Sequence, residues 1–163
     1  MSETNVMPDA KRSGIRDSQG NAMDSGSSAK AAVRNDGRFL VRKAAVLGAG
    51  VMGAQIAAHL ANANVKPILF ELADDKGKDK SANAKKALDG LAKLNPSPIA
   101  TASVLKQIVP ANYDEHLALL AECDLVIEAI SERMDWKKSL FEKIAPHLGP
   151  NTIFASNTSG LSI

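Results

Sequence analysis

The feature of this sequence that most constrains its fold is a glycine-rich turn placed between a short apolar run and a helix-forming segment. The run "KAAVL", from Lys43 to Leu47, has the length and composition of a buried strand, and "GAGVMG" follows it directly. The alanine-rich "AQIAAHLANA" then continues as a helix. The spacing G-x-G-x-x-G is weak evidence alone, but a strand before it and a helix after it are the context that a nucleotide-binding turn requires. The three pieces predict the first unit of a parallel α/β sheet.

Each of the three glycines has its own steric role in such a turn. Gly48 permits the tight bend, Gly50 lets the backbone approach a pyrophosphate, and Gly53 lets the helix pack closely against the strand. Unpaired N–H groups and the positive end of the helix dipole then face the phosphate groups. The predicted phosphate-binding residues are Gly48, Ala49, Gly50, Val51, Met52 and Gly53.

An acidic residue follows at the distance that this kind of turn uses to bind ribose. Glu71 lies 23 positions beyond Gly48, close to the expected interval of about 20 residues. Its carboxylate can accept both ribose hydroxyls of an adenosine and repels a 2′-phosphate, by about a few kcal/mol per charge pair at contact. The following "LADDKG" contains no arginine to receive that phosphate. NAD is therefore the predicted cofactor, in preference to NADP.

The remaining apolar runs alternate with helix-period segments, which is the pattern of a parallel α/β sheet. We predict a Rossmann-type doubly wound parallel sheet, incomplete at its C-terminal end, with a helical insertion after the second strand. Pro67 is tolerable only at the first position of its strand. The predicted strands are Lys43–Leu47, Pro67–Glu71, Ile108–Ala111, Asp124–Ala129 and Thr152–Ser156.

Apolar residues at helical spacing predict the main helices. On the helix after the glycine turn, the stripe is Met52, Ile56, Leu60 and Ala63, with small alanines between that let the helix approach the sheet. In the insertion, "NPSP" separates an amphipathic helix from a short one, and its mixed charge is consistent with a solvated hairpin or with a ligand surface. The stripe of the amphipathic helix is Ala84, Leu88, Leu91 and Leu94.

The helix in "ERMDWKKSLFEKIAPHL" has an apolar stripe formed by Trp136, Leu140 and Ile144. Packing in the core is preferred to a stacking role for Trp136. The positions predicted to face outward are Lys137, Lys138 and Glu142.

Composition and charge exclude several classes of function. The chain has a formal charge of +2 with its lysines interleaved among acids, so we predict no nucleic-acid partner. A single cysteine, Cys123, excludes an internal disulfide framework and a cysteine-only metal cluster, and no metal site is predicted. No uncharged apolar run approaches the roughly 20 residues that span a bilayer, and we predict a cytoplasmic location without a membrane partner.

The two ends of the chain differ from its centre. Residues 1–37 are short of large apolar side chains and rich in Ser, Gly, Asn and Asp, which predicts a disordered N-terminal tail. Residues 38–163 are predicted to form the nucleotide-binding domain. The final "NTIFASNTSGLSI" brings an apolar strand close to the end of the sequence, and we expect the chain to be a fragment of a longer protein.

Polar-rich stretches follow the last two predicted strands. The carboxyl ends of parallel strands converge on one crevice, so "EAISER" and "SNTSG" are expected to meet there. Ser156, Asn157, Thr158 and Ser159 present hydrogen-bonding side chains beside the expected nicotinamide end. Helix capping is the alternative role for the first three, because Ser, Asn and Thr favour that position.

Three stretches together resemble the amino-terminal domain of the 3-hydroxyacyl-CoA dehydrogenase family: "VLGAGVMGAQIAAHLANANVKPILFE", "CDLVIEAISERMDWKKSLFEKIAPHL" and "IFASNTSGLSI". The resemblance covers about residues 42–163 and is greatest to bacterial bifunctional proteins that join this dehydrogenase to an enoyl-CoA hydratase. It implies NAD-dependent oxidation of an L-3-hydroxyacyl-CoA to the 3-ketoacyl-CoA in fatty-acid β-oxidation. It also implies a homo-oligomer when full-length, with a helical second domain that we do not expect within these 163 residues.

The same resemblance assigns roles to individual residues. The glycines of 48–53 match the family's phosphate loop, and Glu71 matches its ribose-binding acid. Ser159 matches the active-site serine that hydrogen-bonds the substrate oxygen. The matches to residues that line the cofactor are Ala129, Glu132 and Lys137.

The family's general base is a histidine that would lie beyond Ile163, so the resemblance implies that this chain binds NAD without turnover. His59, His116 and His147 are expected to be structural or solvated. In the family, the insertion after the second strand contributes to CoA binding. The candidate lysines there are Lys76, Lys78, Lys80, Lys85, Lys86 and Lys93.

Two other interpretations stay open. One is another two-domain NAD-dependent dehydrogenase acting on small hydroxy acids, although those enzymes usually place a different serine–glycine pattern where this chain has "SNTSGLSI". The other is a stand-alone nucleotide-binding module, whose role is binding alone.

Overall fold

The computed structural model describes residues 39–160, and the tail predicted for residues 1–37 lies outside this part. Five strands form one sheet in the order β3-β2-β1-β4-β5, and every pairing is parallel. The strands are β1 (Lys43–Leu47), β2 (Lys66–Glu71), β3 (Val109–Asn112), β4 (Leu125–Glu128) and β5 (Ile153–Ser156). The helices are α1 (Val51–Asn62), α2 (Ala82–Leu91), α3 (Ala102–Leu105) and α4 (Met134–Ile144), with 3₁₀ helices at Leu117–Glu122 and Ala145–His147.

The strand order and the helices on both faces confirm the predicted Rossmann-type fold. On one face, Val46 packs with α1 and α2. On the other, its neighbour Leu47 packs with the 3₁₀ helix Leu117–Glu122 and with Ile144 of α4. Because both faces are covered, adjacent residues of one strand are apolar, which explains the unalternated run in the sequence. The strand order reverses between β1 and β4, and sheets of this kind bind their ligands at that point.

All five predicted strands are present, with bounds that differ by one residue at most. The expectation for Pro67 is wrong, because β2 begins at Lys66 and places the proline second in an interior strand. The Lys66 N–H donates to the Arg42 carbonyl on the β1 side, so the proline nitrogen faces the β3 side. Pairing with β3 starts only at Ile68, opposite Val109, and the missing N–H therefore removes no ladder bond.

The buried face of α1 consists of its small residues and not of the predicted stripe. Met52 is 54% exposed, and Ile56 and Leu60 are only half-buried beside the insertion. A Cβ on Gly53 would overlap the carbonyl oxygen of Gly48, so the helix lies too close to the turn for larger side chains. The buried residues of α1 are Gly53, Ala54, Ala57, Ala58 and Ala61.

The insertion between β2 and β3 contains the predicted amphipathic helix and the predicted short helix, α2 and α3. Ala84, Leu88 and Leu91 are buried, and they extend the apolar cluster on the α1 face of the sheet. Leu94, the last member of the predicted stripe, lies beyond the end of α2 and is exposed. The insertion therefore packs as part of the domain through one face of α2.

Helix α4 turns a different face inward from the one predicted. Trp136, expected in the core, is 49% exposed, whereas Lys137, expected outside, is 1% exposed. Ile144 is buried as predicted, and Leu140 is half-buried. The helix is rotated because Lys137 carries its ammonium group inward to the carboxylate of Glu128.

Strand β5 forms one edge of the sheet among the described residues, and its outer side is partly covered. Ile153 and Phe154 are both exposed by more than a third. The Phe154 ring meets Phe141 of α4 edge-on, with ring centroids 5.1 Å apart. Within residues 39–160, no helix is long and apolar enough to cross a membrane.

Candidate functional site

The glycine turn joins the carboxyl end of β1 to α1 in a conformation that its first glycine makes possible. Gly48 has φ +103°, in the region that favours glycine, and its N–H donates to the Phe70 carbonyl at 2.9 Å. A Cβ there would lie 2.8 Å from the carbonyl oxygen of Ala129. The turn is therefore wedged between β2 and the end of β4, and only glycine fits its first position.

The first turn of α1 leaves its backbone N–H groups available to a ligand. Gly50 is the N-cap, it supplies no side-chain cap, and no acidic residue occupies the first turn. A Cβ on Gly50 would meet nothing within 4 Å, so the space in front of the helix is open. The positive end of the helix dipole and unpaired donors thus face open space, as in a phosphate site.

A cavity of about 540 Å³ opens beside this turn, at the carboxyl ends of β1, β2, β3 and β4. Its volume is in the range of a small-molecule site. The strand ends contribute Gly48, Gly50, Glu71, Leu72, Ala73, Tyr113, Asp114, Ala129, Ile130 and Ser131, and α4 contributes Trp136, Ser139, Leu140 and Lys143.

Glu71 lies at the end of β2, where its carboxylate joins the glycine turn to the cavity. One oxygen, Oε2, accepts the Ala49 N–H at 2.6 Å, and Oε1 accepts the N–H of Leu72 at 2.9 Å. Each carboxylate oxygen has two lone pairs, so one acceptor site on each remains for a ligand hydroxyl. The acid predicted from its spacing is thus fixed in place beside the glycine turn.

Helix α4 forms a wall of this cavity that the sequence interpretation missed. The Arg133 guanidinium carbon lies 4.5 Å from the centre of the exposed Trp136 ring, a cation–π arrangement. Two turns further along the same face, Lys143 pairs with Asp114 at 3.2 Å across the cavity. Trp136 and Lys143 are seven residues apart and therefore lie on one face of the helix. An aromatic and a charged residue at this spacing were the sequence signal for a cavity wall.

Tyr113 follows β3, and it is a largely buried part of the cavity lining. Its ring stacks on Phe70 with centroids 5.6 Å apart, and its buried hydroxyl has no hydrogen-bond partner among residues 39–160. Burial raises the pKa of Tyr113, and the charges of Glu71 and Glu128 raise it further. The hydroxyl therefore stays protonated at neutral pH. The N–H of the neighbouring Gly48 donates to the Phe70 carbonyl.

Glu128, the last residue of β4, is a fully buried acid that the sequence interpretation did not single out. Its Oε1 accepts the Ile130 N–H at 2.8 Å and the Lys137 ammonium at 2.6 Å. Its Oε2 accepts the hydroxyls of Ser156 at 2.6 Å and Thr158 at 3.3 Å. A charged residue inside the apolar run "LVIEAI" was the available signal, because a buried charge requires partners.

The ionisation of Glu128 follows from this surrounding set of donors. Burial alone raises the pKa of a carboxyl group, but hydrogen bonds from Lys137, Ser156 and the Ile130 N–H outweigh it and hold the pKa of Glu128 below its usual value. At neutral pH the carboxylate is charged. This also means that Lys137, matched by resemblance to a cofactor-lining residue, directs its ammonium to Glu128, and it is not among the residues that line the cavity.

Ser159 and Glu132 contact each other at the outer rim of the site. The Ser159 N–H and hydroxyl both donate to Glu132 Oε1 at 3.3 Å. Neither residue is among those that line the 540 Å³ cavity. The structure thus places the predicted residues in two groups: Gly48, Gly50, Glu71 and Ala129 around the cavity, and Glu132 and Ser159 beside it.

The other predicted residues lie on or next to the glycine turn. Ala49 and Val51 line a smaller groove of about 260 Å³ between α1 and α2, together with Gly50. Met52 is exposed on the first turn of α1, and Gly53 is buried against Gly48. Within residues 39–160, no cluster of three or more His, Cys, Asp or Glu side chains could hold a metal ion.

These donors fit an adenine dinucleotide. Open helix-terminal N–H groups suit a pyrophosphate, and the carboxylate of Glu71 at the end of β2 suits a ribose diol. The cavity continues from Gly50 past Glu71 to the exposed face of Trp136. Its apolar lining there suits a flat aromatic base.

Comparison with known proteins gives a consistent result. The family model described as "3-hydroxyacyl-CoA dehydrogenase, NAD binding domain" matches residues 43–163. A "Probable 3-hydroxyacyl-CoA dehydrogenase" of Bacillus subtilis is 35% identical over 137 residues, which covers 76% of this chain and 17% of that protein. The "3-hydroxyadipyl-CoA dehydrogenase" of Escherichia coli K12 is 37% identical over 132 residues, covering 76% of this chain and 26% of that protein.

Among solved structures, the fold is similar to that of 3-hydroxybutyryl-CoA dehydrogenase from Escherichia coli K12. The TM-score is 0.60 at 32% sequence identity, with 76% of this chain and 26% of that chain covered. The chain therefore spans between a sixth and about a quarter of the length of these three proteins.

Proposed function

The chain belongs to the 3-hydroxyacyl-CoA dehydrogenase family, as an NAD-binding domain, and from this premise we propose that it holds NAD for the oxidation of an L-3-hydroxyacyl-CoA to the 3-ketoacyl-CoA in fatty-acid β-oxidation. The observation that carries the proposal is the open N-terminus of α1 beside Glu71, whose carboxylate is bonded to the Ala49 N–H. A bound nicotinamide supplies a hydride acceptor, and the protein supplies binding and orientation.

In this proposal, the two ends of the site have different tasks. The glycine turn and Glu71 hold the pyrophosphate and the adenosine ribose. Ala129 and Glu132 flank the nicotinamide end, and Ser159 donates a hydrogen bond to the substrate oxygen. The Ser159 hydroxyl donates to Glu132 Oε1 at 3.3 Å, and this long bond leaves it able to turn to a substrate.

We propose further that these 163 residues bind NAD without turnover. Removing the proton of the substrate hydroxyl needs a base within hydrogen-bond reach. His59 is exposed on the last turn of α1, and His116 Nδ1 accepts the Asn112 N–H at the end of β3. His147 lies in the 3₁₀ helix after α4. None of these three histidines, all within the described residues, lines the cavity, so we expect none of them to act as the base.

The proposal extends to the partners of the longer protein. The acyl-CoA substrate is expected to contact the lysines of the insertion. Five of these lysines lie in residues 76–86, most of which are exposed. Homo-oligomerisation is expected of the full-length protein. A cytoplasmic location is also part of the proposal, and the single cysteine in the sequence is in keeping with a reducing compartment.

Titration calorimetry of the 163-residue chain with NAD and with NADP tests the central claim. We expect NAD to bind and NADP to bind about tenfold more weakly or worse, because the 2′-phosphate would face the Glu71 carboxylate. The Glu71→Gln variant should reduce this preference, whereas Glu122→Gln removes an exposed charge beside Lys43, at the opposite end of β1, and should preserve it. Absence of NAD binding, or tighter binding of NADP, would overturn the proposal.

The claim about turnover has a separate test. Acetoacetyl-CoA and NADH are mixed with the chain, and the absorbance of NADH is followed. No change above the rate without protein is expected. Oxidation of NADH by the 163-residue chain would contradict the claim, and it would leave the family assignment intact.

A further inference from the structure

We propose that Glu128 is a positioning residue for the nicotinamide half of the site, because its buried carboxylate holds the loop that carries Ser159 against the loop that follows β4. The inference rests on the proposed function, since it concerns which half of a bound dinucleotide these loops serve. Glu128 is 0% exposed and does not line the cavity, so it acts only through the residues bonded to it.

Three separate segments converge on this one side chain. The turn after β4 contributes the Ile130 N–H, α4 contributes the Lys137 ammonium, and the end of β5 contributes the hydroxyls of Ser156 and Thr158. These four bonds occupy the four lone-pair sites of a carboxylate, two on each oxygen. Thr158 is 30 positions from Glu128 in the chain, so Glu128 fixes the relative placement of distant segments and not merely a local turn.

Two more hydrogen bonds, one from the backbone and one from a side chain, join the loop after β4 to the loop after β5. The Asn157 N–H donates to the carbonyl oxygen of Glu128 at 2.8 Å, next to the buried carboxylate. At the far end, Ser159 donates to Glu132 at 3.3 Å, and both of these residues are exposed. A long, exposed hydrogen bond contributes little by itself. The position of Ser159 therefore depends mainly on the buried contacts at Glu128.

A carboxylate suits this arrangement better than an amide does. All four partners of Glu128 donate, and only the two hydroxyls, of Ser156 and Thr158, can reverse and accept from an amide nitrogen. The Lys137 ammonium and the Ile130 N–H cannot reverse, so an amide must keep its oxygen towards them, and it no longer supplies the charge that balances the ammonium. The substitution Glu128→Gln keeps the side-chain volume and replaces one carboxylate oxygen with an NH₂ group. It therefore separates the positioning effect from packing.

The strands that Glu128 connects belong to one half of the sheet. In this fold each half binds one mononucleotide, and the acid at the end of β2 defines the adenosine half. Glu71 therefore belongs to the adenosine half. Glu128, at the end of β4 and opposite Ser156 of β5, belongs to the other half. Loosening the loops after β4 and β5 should weaken contacts to the nicotinamide nucleotide and leave those to adenosine and pyrophosphate unchanged.

Binding of NADH and of ADP, measured by calorimetry on the 163-residue chain, separates these effects. ADP contains the adenosine and both phosphates and lacks the nicotinamide riboside. For Glu128→Gln we expect NADH to bind about tenfold more weakly, with the affinity for ADP changed by less than about twofold. The variant Ser156→Ala, which keeps the Lys137 ion pair, should shift the ratio of the two affinities in the same direction by a smaller factor.

The matched control is Glu122→Gln, which breaks an exposed ion pair with Lys43 at the opposite end of β1. It should leave both affinities unchanged. If Glu128→Gln fails to fold, as judged by its far-UV spectrum, Ser156→Ala decides the question, and unfolding of both variants would overturn the inference. An unchanged NADH-to-ADP ratio in a folded variant, or equal loss of both ligands, also overturns it. A parent chain that binds neither ligand would instead reject the proposed function, and this inference with it.

Discussion

The ammonium group of Lys137 lies 2.6 Å from the carboxylate of Glu128, and neither side chain is more than 1% exposed. The pair joins α4 to the end of β4. The Ile130 N–H donates to the same carboxylate oxygen as Lys137, and the hydroxyls of Ser156 and Thr158 donate to the other oxygen. A buried charge is tolerated only when it is compensated, so each partner makes the other necessary.

Replacing Lys137 with methionine should therefore lower the free energy of unfolding by about 3–5 kcal/mol, because Glu128 is left as an uncompensated buried charge. Urea unfolding followed by circular dichroism gives the value. Lys143→Met is the matched control on the same helix, since its pair with Asp114 is about half exposed, and it should cost less than about 1 kcal/mol. The double variant Glu128→Gln/Lys137→Met should recover part of the loss. Equal costs for the two lysines would contradict a special role for the buried pair.

The same carboxylate gives the stability of the domain a defined dependence on acid. The folded-state pKa of Glu128 is held below its ordinary value of 4.5, so its contribution is complete above that value and is lost as the pH falls through the folded-state pKa. Glu128→Gln has no such contribution. The difference in unfolding free energy between the parent chain and this variant should therefore shrink as the pH falls from about 5 towards 3. A difference that stays constant over this range would show that the carboxyl group does not carry it.

Gly53→Ala should destabilise the domain, because the new methyl group overlaps the carbonyl oxygen of Gly48 and the backbone must move. We expect a loss of about 3 kcal/mol in unfolding free energy, together with weaker NAD binding, since the turn in front of α1 is displaced. Gly90→Ala is the control, because a Cβ there meets nothing within 4 Å on α2. It should stabilise the helix by about 0.5–1 kcal/mol. A neutral Gly53→Ala would show that the turn can relax.

Tyr113→Phe should raise stability or leave it unchanged, in contrast to most core substitutions. The Tyr113 hydroxyl is buried without a hydrogen-bond partner among the described residues, so its removal relieves a desolvation cost of about 1 kcal/mol and keeps the stacking on Phe70. Thermal unfolding and NAD calorimetry are the measurements, and the affinity for NAD should not change. A loss of more than about 1 kcal/mol would mean that the hydroxyl is bonded in solution.

The sequence was sufficient to predict the parts of the fold in which local pattern and tertiary packing agree. The strand–turn–helix unit, the parallel sheet and the insertion all follow from the periods of apolar residues and from the glycines of 48–53. The position of Glu71 at the end of β2 followed from its spacing from the turn, whereas its ribose-binding role stays a prediction. In each case, a single segment contains the information.

The errors arose where long-range contacts override that local pattern. Trp136 and Lys137 exchanged their expected places because the partner that draws Lys137 inward, Glu128, lies on a strand and not on the helix. Met52 was expected in the core because it is large and apolar, but the closeness of two backbones at Gly48 and Gly53 admits only small side chains. Neither effect is visible in the spacing of residues along one element.

The alanine face of α1 has a consequence for how such a domain can change over generations. Ala57, Ala58 and Ala61 are at most 2% exposed, so larger side chains there would overpack the interface at a cost of about 1–3 kcal/mol each. Glu71 and Trp136 line the cavity instead, where substitutions do not carry this packing cost. We therefore expect a change of coenzyme preference to arise at the cavity wall and not on this face of the helix.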